Sequence, residues 1–125
     1  MKKGITKPSS SRRKRYLASN QLKRKFISAP LSPSLRAEHG TRSMPVVVDD
    51  TVSITKGDRK LSEGRVLRVN TSKSRIYIEG VTRTRQDGST VQIPIRAENV
   101  MLTRLNLNDQ WRRRMLERKS FSKGE

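Results

Sequence analysis

Apolar and polar residues alternate through the middle of the chain. Five short runs have this period of two: residues 52–54, 67–69, 76–78, 91–95 and 100–102. Alternation with many Val and Ile residues is typical of β-strands that have one buried face. The pattern predicts a mostly β fold, a small half-open barrel, because closure hides the edges of so short a sheet. Pro94 lacks an amide donor, so its strand is expected at an edge or a bulge.

The first 48 residues lack this alternation. A helix capped by Ser19 or Asn20 would place Leu22 and Phe26 on one face, four residues apart. A helix of this length is not stable alone, so it must dock on something. Residues 12–15, Arg-Arg-Lys-Arg, have no apolar periodicity and are expected to be extended and to become ordered on binding a partner.

Two further helices are predicted from capping signals. Ser32 and Gly40 bound the first, as its N-cap and its stop. Near the C-terminus, Asn108 is predicted to cap a helix that has Trp111 and Met115 on one face. We expect Trp111 to pack against the barrel rather than to stack on a base.

Composition limits both the size of the core and the available chemistry. Hydrophobic residues make up 31% of the chain and aromatic residues 4%, so a large core is not available. The absence of cysteine excludes disulfides and thiol chemistry. No apolar run reaches about 18 residues, so no transmembrane helix is expected. The basic N-terminus lacks the apolar segment of a secretory signal.

The positive charge is large and unevenly distributed. Lys and Arg total 29 against 11 Asp and Glu, and a net charge of +18 favours a polyanionic partner that relieves self-repulsion. Residues 1–48 carry 12 basic and one acidic side chain, whereas residues 49–104 carry 11 and seven. The sequence therefore divides into a basic N-terminal extension (1–44), a β domain (45–104) and a basic C-terminal helix and tail (105–125).

Signals for catalysis and metal binding are weak. His39 is the only histidine, and its place at a predicted helix end favours interaction with the terminal carbonyl groups. Asp49 and Asp50 are expected to pair with arginines rather than to perform acid–base chemistry. Residues 55–64 lack the spacing of a phosphate-binding P-loop, and no nucleophile has a plausible base. The sequence predicts neither an enzyme nor a bound cofactor or metal.

Four stretches carry a resemblance to a known family. They are RSMPV at 42–46, DDTVSITKGDRKLSEGRVLRV at 49–69, SRIYIEGVTRTRQDGSTVQIPI at 74–95 and NVMLTRLNL at 99–107. Together they resemble the universal KOW-domain protein of the large ribosomal subunit, called L-twenty-four in bacteria and L-twenty-six in eukaryotes. The N-terminal APLS and RSMP segments and the C-terminal RRRMLERKS are similar to the eukaryotic and archaeal type.

The resemblance implies an SH3-like small barrel that binds ribosomal RNA. It implies a position on the 5′ region of the large-subunit rRNA near the peptide tunnel exit, contact with neighbouring large-subunit proteins, and an early role in subunit assembly. It also implies a cytosolic ribosome, with nuclear and nucleolar passage if the source is eukaryotic; RRKR and KRKF are compatible with nuclear import. No membrane partner is expected, because the short helices offer little apolar area. No small-molecule substrate is expected either.

The KOW loop departs from the family pattern at one position. Leu61 stands where a glycine usually follows the lysine of the loop, between Gly57 and Gly64. The tip must therefore turn differently, or a non-glycine residue must adopt a conformation that favours glycine. This departure affects the loop contact rather than the expected fold.

Basic residues of the extension, of the barrel loops and of the last helix are the expected RNA contacts. Lys and Arg release condensed counterions when they meet phosphates, and Arg can bind a phosphate through two parallel hydrogen bonds. Some loop cations are alternatively expected to pair with Asp or Glu. With two loop glycines, the expected RNA-binding set is Arg12, Arg13, Lys14, Arg15, Lys23, Arg24, Lys25, Arg36, Arg42, Lys56, Gly57, Arg59, Lys60, Gly64, Arg65, Lys73, Arg75, Arg83, Arg85, Arg112, Arg113 and Arg114.

Two other functions fit part of the sequence. A KOW module of a transcription elongation factor would share the loop, but it would belong to a longer chain and would not need the RSMP segment. A free nucleic-acid-binding regulator acting on DNA would need a helix with Asn, Gln or Arg side chains directed at base edges, and no predicted helix has a clear one. Sedimentation with large subunits after a high-salt wash would favour the ribosomal function.

Overall fold

The computed structural model describes residue 4 and residues 6–123. The start of the predicted extension (1–3 and 5) and the end of the predicted tail (124–125) lie outside the described residues. Along the chain the elements are α1 (Pro8–Tyr16), α2 (Asn20–Phe26), β1 (Ser28–Pro30), α3 (Pro33–His39), β2 (Ser43–Pro45), β3 (Thr51–Ile54), β4 (Glu63–Asn70), β5 (Arg75–Ile78), β6 (Thr82–Thr84), β7 (Thr90–Gln92), a 3₁₀ turn (Ala97–Asn99), β8 (Val100–Arg104) and α4 (Gln110–Lys123).

Four strands form the main antiparallel sheet, in the order β5-β4-β3-β8. Two smaller antiparallel sheets pair β1 with β2 and β6 with β7. Single bridges join Leu31 to Leu102 and Ile76 to Ile95. Among the described residues these pairings do not form a closed barrel. The prediction of a small, sheet-rich domain is confirmed, and SH3-like closure stays a prediction.

In strand β4 the residue that faces the core is not the one that the alternation predicted. Its register with β5 shifts between Val66 and Arg68, which marks a β-bulge. The bulge buries Val66 and leaves Leu67 on the exposed side. The alternation predicted for 67–69 is therefore wrong at Leu67, because an extra residue reverses the faces of the strand.

The run predicted as one strand over 91–95 is interrupted. Strand β7 ends at Gln92, and Ile95 then forms an isolated bridge whose amide donates to the Ile76 carbonyl at 2.9 Å. Pro94 lies between the two and has no amide to donate. The irregularity predicted at this proline is confirmed.

The hairpin turn predicted at Asp87-Gly88 connects β6 and β7. Gly88 has φ +91°, a conformation in which glycine has no steric penalty. The hydroxyl and the amide of Ser89 donate to Asp87 Oδ1 at 2.7 and 2.9 Å. These hydrogen bonds, the hydroxyl one first, lower the pKa of Asp87 because they favour its charged form.

One hydrophobic core is shared by the main sheet and the second half of the N-terminal extension. Ala29, Leu31 and Met44 are fully buried together with Val52 and Leu102. The β1–β2 pair thus contributes apolar side chains that the short main sheet needs to bury its inner face. The predicted boundary between residues 44 and 45 therefore separates two stretches that share one core.

Helices α2 and α3 form where the capping signals predicted them. Ser19 precedes α2 in an extended conformation. Ser32 Oγ accepts a hydrogen bond from the Leu35 amide at 3.4 Å, and Gly40 ends α3 with φ +67°. Since glycine adopts this left-handed conformation without strain, the stop is local in origin.

Residues 12–15, predicted to be extended, lie in helix α1. It begins at Pro8, whose missing donor is harmless in the first turn, and continues through Tyr16. Arg and Lys are good helix formers. None of its residues is buried, so the helix needs no apolar face. The missing periodicity therefore indicated exposure, and the inference of an extended chain was wrong.

Helix α4 begins one residue later and faces another way than predicted. Asp109, not Asn108, caps it, since Asp109 Oδ1 accepts from the Trp111 amide at 3.0 Å. Trp111 is 65% exposed, whereas Arg112 and Leu116 are buried. The prediction that Trp111 packs against the barrel is wrong, because the inward face passes through 112 and 116, one position on.

Candidate nucleic-acid interface

Helices α1 and α2 form a basic hairpin outside the core, with no buried residue in either helix. The Arg15 guanidinium lies 5.1 Å from the centroid of the Phe26 ring, a cation–π distance that joins the two helices. Arg15 Nη2 also lies 4.0 Å from Glu98 Oε1 of the 3₁₀ turn. Both charged groups are more than half exposed, so solvent screens this ion pair strongly. The cations of the hairpin remain accessible.

A cleft of about 330 Å³, here called the arm cleft, separates this hairpin from the turn between β4 and β5. Six cations line it: three from the hairpin, Lys73 from the turn, Arg75 from the start of β5, and Arg96. Glu98 is the single carboxylate among its described lining residues. The lining consists of Arg12, Arg15, Tyr16, Lys23, Phe26, Ser72, Lys73, Ser74, Arg75, Arg96 and Glu98. This excess of positive charge suits an anionic ligand.

Hydrogen bonds fix the backbone of the turn between β4 and β5 and orient the side chain of Arg75. Asn70 Oδ1 accepts from the Lys73 amide at 3.2 Å. Arg75 Nη1 donates to the carbonyls of Lys73 and Ser74 at 3.0 and 3.2 Å. The guanidinium of Arg75 is thereby held against its own turn, and its remaining donors stay available to a ligand.

A second cleft, here called the loop cleft, has a volume of about 520 Å³ and lies beside the KOW loop. Its lining consists of Lys56, Gly57, Asp58, Arg59, Arg75, Arg83, Ile93, Pro94, Ile95, Arg96 and Asn99. Arg75 and Arg96 line both clefts. The cations of the extension and those of the KOW loop therefore flank one continuous basic surface.

The KOW loop turns by means of a strained leucine. Leu61 has φ +72°, and its amide donates to the Ile54 carbonyl at 2.8 Å. The side chain is 82% exposed. Of the two alternatives that the sequence left open, the structure supports the second, a non-glycine residue in a conformation that favours glycine. Arg59 Nη2 donates to the Thr82 carbonyl at 3.0 Å and ties the loop to β6.

Gly64, predicted among the RNA contacts, has a packing role. A Cβ atom at this position would lie 2.6 Å from the Glu79 carbonyl oxygen and 2.8 Å from Ile78 Cγ2. Such distances are well inside van der Waals contact, so the close approach of β4 to the end of β5 requires glycine at position 64. Gly64 lines neither cleft.

Two other predicted contacts have partners within the protein. Arg65 Nε lies 3.7 Å from Asp49 Oδ1 and 3.9 Å from Glu79 Oε2, the pairing that the sequence offered as an alternative for loop cations. Arg36 Nε donates to the Leu31 carbonyl at 3.0 Å. Neither side chain lines the two clefts.

The remaining predicted cations are exposed but do not line either cleft. They are Arg13, Lys14, Arg24, Lys25, Arg42, Lys60, Arg85, Arg113 and Arg114. Arg114 lies over the exposed Trp111 ring at 4.8 Å from its centroid. The clefts thus contain nine members of the predicted set, namely Arg12, Arg15, Lys23, Lys56, Gly57, Arg59, Lys73, Arg75 and Arg83.

Arg112 was predicted to contact RNA, but the structure encloses it in the core, and this corrects the prediction. Its Nη1 and Nη2 atoms donate to the two carboxylate oxygens of Asp50, each at 2.6 Å. Nη1 also donates to the Asn106 carbonyl at 2.8 Å, and Nη2 to the Pro45 carbonyl at 3.2 Å. Arg112 is 2% exposed and Asp50 0%. The predicted pairing of Asp50 with an arginine is confirmed.

Tyr16 and Arg96 are among the cleft residues that were missing from the predicted set. Tyr16, 79% exposed, lines the arm cleft. It directly follows the Arg-Arg-Lys-Arg run, and an aromatic residue beside a basic run is a sequence signal for nucleic-acid binding. Arg96 follows a strand-like run and has no basic neighbour in the sequence. Only the fold brings it next to Arg75.

Signals for other kinds of site are absent from the described part of the chain. Its His, Asp and Glu residues form no group of three that could hold a metal ion. None of the helices in residues 6–123 combines the length and the apolar content needed to span a bilayer.

The chain is similar to known ribosomal proteins along most of its length. A family model that describes the eukaryotic ribosomal proteins L-twenty-six and their archaeal L-twenty-four counterparts matches residues 6–119. A protein of Korarchaeum cryptofilum named "Large ribosomal subunit protein uL24" is 39% identical over 113 residues, which cover 90% of this chain and 86% of the relative. A protein of the same name from Methanosarcina barkeri is 42% identical over 105 residues, covering 84% and 90%.

Proposed function

The chain belongs to the ribosomal protein family whose model matches residues 6–119, and we propose that it is a structural constituent of the large ribosomal subunit. In this proposal it binds large-subunit rRNA through the arm cleft and the loop cleft. The observation that carries the proposal is the shared position of Arg75 and Arg96 in both clefts. Cations from distant parts of the sequence thereby face a single polyanion.

The binding mechanism is electrostatic docking on a fixed scaffold. The core positions the KOW loop and the turn between β4 and β5, while the α1–α2 hairpin presents its cations from outside the core. Each Lys or Arg that meets a phosphate releases condensed counterions, so the affinity falls steeply as salt rises. The scaffold supplies the shape and the cations supply the affinity.

The family also supports a more specific location. We place the protein on the 5′ region of the large-subunit rRNA near the peptide tunnel exit, in contact with neighbouring large-subunit proteins, where it supports early assembly. The ribosome concerned is cytoplasmic, with nuclear and nucleolar passage in a eukaryotic source. The function needs no cofactor and no small-molecule substrate.

The family match argues against the two other functions considered. It extends through the α1–α2 hairpin and into α4, beyond the KOW segment that a transcription elongation factor would share. A regulator that reads DNA bases would need a helix with side chains directed into a groove. The two relatives are named as large-subunit proteins, and the match covers 86% and 90% of their lengths.

Crosslinking of a tagged chain to RNA in cells tests this function. We expect crosslinked fragments from the 5′ region of the large-subunit rRNA, and crosslinked peptides from residues 12–25 and from the KOW loop. Co-sedimentation with large subunits should survive a high-salt wash. Recovery of messenger RNA or DNA fragments in place of rRNA would contradict the proposal.

A further inference from the structure

The charge of the arm cleft is unbalanced within the protein itself. Glu98 is its one carboxylate among the described residues, and it is already near Arg15. Like charges held together in a concave site repel one another and attract an anion. The cleft therefore favours a ligand that carries phosphate or another anionic group.

An exposed aromatic ring lies beside these cations. Tyr16 is 79% exposed at the end of α1, and Phe26 lines the cleft from α2. The Arg15 guanidinium already covers the Phe26 ring, whereas the Tyr16 ring has no such cover among the described contacts. Aromatic rings next to cations are typical of sites that bind unpaired nucleotides, because every base offers a π-face.

The size of the cleft suits one nucleotide. A volume of about 330 Å³ lies at the lower end of the range for small-ligand pockets. In a duplex the faces of the bases are stacked inside the helix and cannot reach a tyrosine ring. The hydroxyl groups of Ser72 and Ser74, which also line the cleft, can bond a ribose or a base edge.

The cleft also leads towards the KOW loop. Arg75 and Arg96 line its border with the loop cleft, so an RNA strand that passes from the arm cleft to the loop cleft meets cations in both. A basic groove that follows the backbone, with an aromatic ring for the base, is the arrangement of single-strand binding sites.

From these observations we propose that the arm cleft holds one unpaired RNA nucleotide. Its base stacks on Tyr16, and its flanking phosphates contact Arg12, Arg75 and Arg96. The proposal rests on the rRNA-binding function and specifies which RNA feature the extension recognises, a base that has left the helical stack.

Binding of the full chain to two RNA hairpins tests the proposal. One hairpin is fully paired, and the other is identical except for one inserted, unpaired 2-aminopurine, whose fluorescence reports stacking. We expect tighter binding of the bulged hairpin and quenching of its fluorescence. Tyr16→Ala should weaken binding of the bulged hairpin about fivefold to 150-fold, the range for loss of one base–aromatic stack, and leave the paired hairpin unaffected.

Two variants serve as controls. Tyr16→Phe keeps the ring and should retain both the preference and the quenching. Trp111→Ala removes an exposed aromatic ring from α4, outside the cleft, and should change neither. Circular dichroism and urea unfolding of each variant verify the fold.

The outcomes separate this inference from the proposed function. Equal binding of the two hairpins, or a Tyr16→Ala variant that behaves as the parent chain does, overturns the nucleotide site and leaves rRNA binding intact. Failure of the parent chain to bind either hairpin, together with its absence from large subunits, overturns both.

Discussion

The two arginine-rich runs of this chain are alike in sequence and differ in the fold. Residues 12–15 in α1 and residues 112–114 in α4 both place consecutive cations on a helix. Helix α1 buries none of its residues. In α4, by contrast, Arg112 is enclosed and makes four hydrogen bonds to Asp50, Asn106 and Pro45.

The difference teaches that the number of cations in a segment does not measure the charge available to a ligand. A buried arginine needs a paired acceptor because desolvation of an isolated charge is very unfavourable. Asp50 meets this need and also accepts from the amides of Val47 and Asn106, at 3.0 and 2.8 Å. The pair fastens α4 to the sheet and contributes no net charge to the surface.

The largest expected effect comes from breaking this buried pair. Arg112→Ala leaves the Asp50 carboxylate enclosed without its cation, so we expect a loss of about 3–5 kcal/mol in the free energy of unfolding. Urea unfolding followed by circular dichroism measures it. The neighbouring exposed cation is the matched control, and Arg113→Ala should change the free energy by no more than about 0.5 kcal/mol. Equal losses in the two variants would contradict the comparison.

An intermediate effect is expected where backbone atoms, rather than charges, are enclosed. Gly64→Ala would place a methyl group 2.6 Å from the Glu79 carbonyl oxygen. Strand β4 and the end of β5 must move apart to admit this methyl group, which should lower the free energy of unfolding by about 1–3 kcal/mol, as overpacking does. The same urea titration measures the loss. A variant as stable as the parent would show that the strands are not this close in solution.

The exposed run should respond in affinity rather than in stability. Arg12→Gln combined with Arg13→Gln should lower the slope of log affinity against log salt by about 0.7–0.9 for each cation that meets a phosphate. The free energy of unfolding should change by less than about 0.5 kcal/mol, since neither side chain is buried. Titration of an rRNA fragment at several salt concentrations, with urea unfolding alongside, measures both.

A charge-matched control distinguishes contact from net charge. Arg104→Gln combined with Arg118→Gln removes the same charge from exposed residues outside both clefts. This variant should keep most of the salt dependence. If both double variants lower the slope equally, the α1 run has no special contact with RNA.

The smallest expected effect extends the comparison to an exposed apolar residue. Leu61→Gly removes a side chain that is largely in solvent and relieves its positive φ. The relief, offset by the greater entropy of glycine in the unfolded chain, should stabilise the protein by roughly 0.5 kcal/mol. Leu61→Ala keeps the strain and should bring no such gain. A clear destabilisation by Leu61→Gly would mean that the leucine side chain makes contacts in solution.

Features that depend on neighbouring residues were determined by the sequence alone. The Ser32 cap, the Gly40 stop and the Asp87-Gly88 turn follow from the conformations that these residues favour. Alternating Val and Ile residues predicted a small β domain. These signals are readable because their physical cause lies within a few residues.

The tertiary structure alone decided which cations are enclosed and which meet. Arg112 and Asp50 are 62 positions apart, and no local pattern announces that they are partners. Arg96 gains its place between the two clefts only when Ile95 pairs with Ile76 of β5 and Glu98 of the 3₁₀ turn lies beside Arg15 of the helical hairpin. The bulge at Val66 likewise turned Leu67 to the exposed face of β4, where alternation had predicted a buried residue. In each case the deciding energy is that of packing or desolvation, which depends on residues far away in the sequence.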